Sequence, residues 1–174
     1  MYIKKLEIEN FRNYEKQKIE FSKGINIFYG NNAQGKTNII ESIFFSSFGK
    51  SFRTNKEKEI IKKGEDFAKI NIEYQKKDRD GKIKIILSDK KNIFLNDVKI
   101  QKLSEMLGKI NVIIFTPDDI NILKQGPSNR RRFLNIMISQ LKINYVNNLN
   151  YYIKTLEQRN NYLKQKNCDN NMLE

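Results

Sequence analysis

The sequence contains no histidine and no tryptophan, a single cysteine and only two prolines. Without histidine, a Ser-His-Asp or Cys-His catalytic constellation, a histidine general acid and a Cys/His zinc site are excluded, because the residues those chemistries need are absent. Cys168 has no second thiol with which to close an internal disulfide, and no apolar signal-like segment follows Met1. Both point to a reducing, cytoplasmic setting. Long hydrophobic runs are lacking too. The most apolar stretches, such as Ile110 to Phe115, are a few residues long, whereas a membrane-spanning helix needs roughly 20, so no membrane partner is expected. Neither an internal repeat nor a Pro/Gly/Ser linker interrupts the chain, which on this count reads as one packed unit.

What is abundant is positive charge. The 174 residues carry 33 Lys and Arg against 20 Asp and Glu, a formal net charge of +13, with 39% apolar residues. That apolar share is enough to bury a core, and the basic excess makes nucleic acid a candidate partner. A general Lys, Asn and Ile bias would give the same excess with no partner involved, so charge alone does not decide.

Periodicity orders the elements. Leu6 and Ile8 alternate with Glu7 and Glu9, and Ile19 and Phe21 with Lys18 and Glu20, predicting two half-buried strands. The run Ile25 to Tyr29 predicts a third, stopping at Gly30. Thr37 to Phe48 places Ile39, Ile40, Ile43 and Phe44 on one helical face. Period two returns with Ile70, Ile72, Tyr74 and then Ile83, Ile85, Leu87, a hairpin turning over Lys76 to Gly81. Ile93 to Ile100 suggests a further strand and Leu103 to Leu107 a short helix ending at Gly108. Ile110 to Phe115 reads as a buried strand stopped by Pro117. From Arg130 onward, Ile138, Leu141, Tyr145, Leu149, Tyr152, Leu156 and Leu163 form the stripe of a long amphipathic helix or the start of a coiled-coil arm. The fold expected is α/β: an N-terminal lobe with a mixed sheet (residues 1–125), then a helical segment (residues 126–174).

The most specific signal is Gly30-Asn31-Asn32-Ala33-Gln34-Gly35-Lys36-Thr37, a full match to G-x-x-x-x-G-K-[ST] between a predicted strand and an amphipathic helix. Gly30 ends the strand where a side chain would obstruct the turn, and Gly35 lets backbone N–H groups close around phosphate oxygens. The helix opening at Thr37 aims its unpaired amides and positive dipole end at the same phosphates. Lys36 would place its ammonium on the β/γ oxygens, and Thr37 would offer its hydroxyl to Mg²⁺. Guanine specificity is disfavoured, because the nearest string to Asn-Lys-x-Asp is Asn55-Lys56-Glu57-Lys58. An acidic strand end that would hold metal and orient water is not evident. Asp118 and Asp119 follow Ile110 to Phe115 after Thr116 and Pro117, either reaching the nucleotide edge or metal, or capping a following helix.

Together these residues resemble the bacterial RecF family of DNA replication and repair proteins, relatives of the SMC-type ABC ATPases. The resemblance starts at Leu6-Glu7-Ile8-Glu9-Asn10-Phe11-Arg12-Asn13-Tyr14. It continues through Gly30 to Thr37 with Asn38-Ile39-Ile40-Glu41, Gly49-Lys50-Ser51-Phe52-Arg53-Thr54 and Phe115-Thr116-Pro117-Asp118-Asp119. It closes on Gly126-Pro127-Ser128-Asn129-Arg130-Arg131-Arg132-Phe133-Leu134 and Gln158-Arg159-Asn160. Two departures stand out: Asn135 occupies a position where the family usually has an acid, and the family's members are considerably longer. Their signature segment and acidic Walker B strand have no counterpart here, so the chain is expected to be the N-terminal part of such a protein.

The resemblance implies a P-loop lobe of the ABC/SMC-like type binding ATP and Mg²⁺. It also implies nucleotide contacts by Arg12, Asn13 and Asn38 beside residues 30–37, and DNA contacts from Lys50, Arg53, Arg130, Arg131 and Arg132. The complete protein would dimerise on ATP, bind single-stranded or gapped DNA, act with other recombination mediators in DNA-damage repair and the SOS response, and hydrolyse ATP slowly. This chain alone would not hydrolyse it. A metabolic P-loop kinase, or a basic DNA-binding module with a non-hydrolysing loop, are the alternatives.

Overall fold

The computed structural model of the chain describes residues 1–116 and 126–164, and the chain divides into two compact units, residues 1–119 and 120–174. The first unit is built on one six-stranded sheet. Its strands are β1 (Tyr2–Phe11), β2 (Tyr14–Glu20), β3 (Ala68–Lys76), β4 (Arg79–Leu87), β5 (Asn92–Leu95) and β6 (Val98–Lys99), in the spatial order β2-β1-β3-β4-β5-β6. Every ladder between these strands is antiparallel. The parallel contribution among the described residues is the isolated Leu107–Ile110 bridge.

The period-two pattern sets the register. Leu6 pairs with Ile19 on one side and Ile72 on the other, Ile8 with Ile70, Ile70 with Ile85, Ile72 with Ile83, and Ile85 with Ile93. One face of the sheet is therefore a continuous field of apolar, mostly β-branched side chains, the cross-strand packing that stabilises sheets. Helix α1 (Lys36–Phe48) contributes Ile39 and Phe45 to that core, joined by Phe11, Ile60, Met106 and Ile110. The hairpin loop between β3 and β4 is tighter than the expected Lys76 to Gly81, because Lys76 already pairs with Arg79. Asn96 and Asp97, both at positive φ, turn the expected single strand over residues 93–100 into the β5–β6 hairpin. Leu103–Glu105 forms one 3₁₀ turn in place of a short helix.

Two predicted strands are absent. Residues 25–29 run outside any ladder, with Ile25, Ile27 and Tyr29 at 88%, 79% and 92% exposure. Phe28 alone turns inward, meeting Phe21 edge to face. Residues 111–115 likewise form no strand: Ile110 is buried and Val112 packs on the core, while Ile113 and Phe115 are exposed. Apolar alternation supplies one face of a strand, but a ladder also needs a neighbour to take its backbone hydrogen bonds. Among the described residues, neither segment joins a ladder.

The second unit holds α2 (Pro127–Leu141) and α3 (Ile143–Leu163), which contact each other. The stripe expected to form one long helix is thus divided at Lys142, whose φ of −135° and ψ of 100° are extended. Tyr145 on α3 donates its hydroxyl to Asn135 Oδ1 on α2 at 2.6 Å, spanning the break. Leu141, Tyr152, Leu156 and Leu163 of the stripe are exposed. Among the described residues, no helix is long and apolar enough to cross a membrane. Pro117, Asp118, Asp119 and Cys168 lie outside the described residues.

Candidate functional site

Residues 30–37 form a loop that enters α1. Gly30 takes φ 138°, Ala33 φ 65° and Gly35 φ 95°, a succession of positive values that curls the backbone around a concavity. Gly35 is required twice over. It caps the helix in the left-handed region, and a Cβ built on it would lie 2.8 Å from the Tyr14 ring. Tyr14 reaches the loop from the start of β2 and donates its hydroxyl to the Gln34 carbonyl at 3.4 Å. Partial burial there holds its phenol above the ordinary tyrosine range.

No side chain caps α1 and no acid occupies its first turn. The positive helix end therefore keeps its anion-binding capacity. Lys36 Nζ donates to the carbonyls of Gly30 at 2.7 Å and Asn31 at 2.6 Å, which anchors the ammonium above the loop. A cleft of about 290 Å³ opens at this point, lined by Asn13, Asn32, Ala33, Gly35, Lys36, Thr37, Asn38 and Arg53. Two of those side chains are cations and none is an anion.

The far wall is held by a network that sequence reasoning did not assign. Asn38 Nδ2 donates to Asn13 Oδ1 at 2.8 Å, and Arg53 NH1 donates to Asn38 Oδ1 at 2.8 Å. Behind them sits Glu41, a fully buried carboxylate on the core side of α1. Its Oε1 accepts from Arg12 NH2 at 2.5 Å and Ser51 Oγ at 2.5 Å; its Oε2 accepts from Arg12 Nε at 3.0 Å and Arg53 NH1 at 3.2 Å. The signal available in the sequence was an acid in the middle of a predicted helix, one turn before Phe45.

Of the expected nucleotide residues, 30–37 shape the loop while Asn13 and Asn38 reach the cleft. Arg12 stands behind the wall, against Glu41. Arg53, read from the sequence as a DNA contact, lines the cleft. Lys50 is exposed just past α1, and Arg130, Arg131 and Arg132 are exposed on α2, in the other unit. Among the described residues no three His, Cys, Asp or Glu side chains gather to hold a metal. The exposed Thr37 hydroxyl on the cleft is a hard oxygen donor of the kind Mg²⁺ takes, and it fits an ion whose remaining ligands are phosphate oxygens and water.

Residues 5–173 match the AAA domain family. Over 173 residues the chain is 49% identical to the DNA replication and repair protein RecF of Clostridium acetobutylicum, covering 98% of this chain and 48% of that protein. A solved structure of the recombination mediator protein RecF with ATP, in the RecFOR pathway, matches with a TM-score of 0.84 at 40% identity, covering 94% of this chain and 46% of that one. A structure from work on ATP-driven dimerization and DNA-stimulated activation of SMC ATPases matches with a TM-score of 0.64 at 26% identity, covering 79% of this chain and 99% of that one. The chain spans about half the length of the curated relatives it matches.

Proposed function

We propose, from the premise that this chain belongs to the RecF family of AAA-domain proteins, that it is the part of a RecF-type DNA replication and repair protein that binds ATP. Its fold is that of the P-loop ATPases whose heads RecF and SMC proteins share. The observation that carries the reading is the cleft at residues 30–37: an uncapped helix end, a positive-φ loop, Lys36 and Arg53 converge there, with no opposing carboxylate among the described residues that line it. Such a site suits a chain of phosphates.

In this reading the amides of the loop and of the first turn of α1 hold the phosphate oxygens, and Lys36 exchanges its loop carbonyls for the β/γ oxygens. Asn13, Asn38 and Arg53 border the phosphates on the far side. Thr37 would hold Mg²⁺, which would supply positive charge to neutralise the phosphates. Among the described residues the cleft lining holds no carboxylate to orient water, and binding of ATP without turnover is the behaviour proposed for the chain by itself. In the complete protein ATP would bring two copies together, and the dimer would engage single-stranded or gapped DNA in the cytoplasm, alongside other recombination mediators. Lys50 and Arg130 to Arg132, exposed and basic, are the DNA contacts proposed for it.

Two assays test this reading. A purified 174-residue chain should release no phosphate from ATP above background; turnover that vanishes in Lys36→Ala would contradict it. DNA affinity of the complete protein should fall steeply with salt and respond to ATP. Absence of DNA binding would instead favour a metabolic kinase, and binding indifferent to ATP a basic module with an idle loop.

A further inference from the structure

Arg12 and Arg53 share one buried carboxylate, and they are not equivalent. Arg12 uses its whole guanidinium: Nε and NH2 clasp Glu41, and NH1 donates to the Glu59 carbonyl at 2.6 Å. Its backbone N–H is bonded to the Ile60 carbonyl at 2.7 Å, and its side chain is 16% exposed. Arg12 does not line the cleft. Arg53 meets Glu41 through NH1 alone, at the longer distance of 3.2 Å, and is 45% exposed on the cleft wall. Ser51, which also donates to Glu41, accepts the backbone N–H groups of Arg53 at 2.9 Å and Thr54 at 3.2 Å, fixing the loop that carries Arg53.

The charges count as one carboxylate and two guanidiniums. A buried carboxylate must be neutralised by a close partner, and the bidentate clasp makes Arg12 that partner. Arg53 is then left with a charge that Glu41 does not cancel, turned toward the cleft and steadied by Asn38. We propose that Arg12 is a positioning residue: by satisfying Glu41 it keeps the Arg53 guanidinium facing the phosphates of the bound nucleotide. Without Arg12, Glu41 would draw Arg53 inward as its sole counter-ion, and the cleft would lose a cation that Arg12 itself never contributed. The inference rests on the reading of this cleft as a nucleotide site.

The test is a titration of Mg-ATP into the chain and four variants, with a nucleotide-free control. Arg53→Ala should weaken affinity about tenfold, the worth of a charge-assisted hydrogen bond. Arg12→Ala should weaken it comparably, and Arg12→Ala/Arg53→Ala no further than Arg53→Ala alone. Arg12→Ala/Glu41→Gln should recover most of the wild-type affinity, because a neutral amide no longer captures Arg53. Losses that multiply in the double arginine variant, unchanged affinity in Arg12→Ala, or no recovery with Glu41→Gln would each overturn the proposal. The control is the rotation of the Arg53 guanidinium followed by NMR without nucleotide, which should slow in Arg12→Ala. Slowing without any ATP binding by the wild-type chain would remove the nucleotide reading while leaving the capture of Arg53 intact; unchanged rotation would overturn the capture itself.

Discussion

Gly35 shows how much one position can carry. Its φ of 95° is a conformation that side chains disfavour, and the Tyr14 ring occupies the space that a Cβ would need. Gly35→Ala is therefore expected to cost about 1–3 kcal/mol in denaturant unfolding and to weaken nucleotide binding, since relieving the clash displaces either Tyr14 or the loop. Tyr14 itself gives a pH signature. Burial raises its folded-state pKa above that of the unfolded chain, so its share of stability is complete below the ordinary tyrosine range and is lost as pH rises through the folded-state value. Alkaline unfolding of wild type and Tyr14→Phe should diverge there, with the phenylalanine variant losing less stability. The loop was legible in the sequence because each constrained residue answers a local demand of the backbone. Glu41 was not, because the meaning of a buried acid depends on Arg12, Ser51 and Arg53, which only the fold brings to it.

Among the elements, β1 to β4 were readable for the same reason, their alternation being matched by neighbouring strands; α1 was readable in extent, but of its expected face Ile39 and Phe44 are buried while Ile40 is exposed and Phe45 enters the core instead. Residues 25–29 and 111–115 are similarly apolar but join no ladder of the described residues, so their composition suggested strands that the described sheet does not include. The difference is measurable. Phe45→Ala removes a fully buried ring from the contact between α1 and the sheet and should cost about 3–5 kcal/mol. Ile27→Ala, at a side chain 79% exposed, should cost under about 0.5 kcal/mol in this chain. A large loss at Ile27 would show that residues 25–29 are core after all. The division at Lys142 escaped the sequence because the apolar spacing continues across it, while the backbone there is extended.

For the molecule as a whole, the basic excess divides by location. Lys36 and Arg53 belong to the cleft, Arg12 serves a buried carboxylate, and Arg130 to Arg132 stand on a helix of the other unit. These six are a small part of the 33 Lys and Arg behind the net charge of +13, so the total charge by itself identifies no partner. The absence of histidine accords with the proposed site, which would use backbone amides, two cations and a hydroxyl. Everything proposed for the complete protein follows from that site binding ATP, and calorimetric titration of Mg-ATP into the wild-type chain and Lys36→Ala tests it most directly. Saturable binding by the wild type that is lost or weakened at least about tenfold in Lys36→Ala is the predicted result; equal affinity in the two proteins would contradict it.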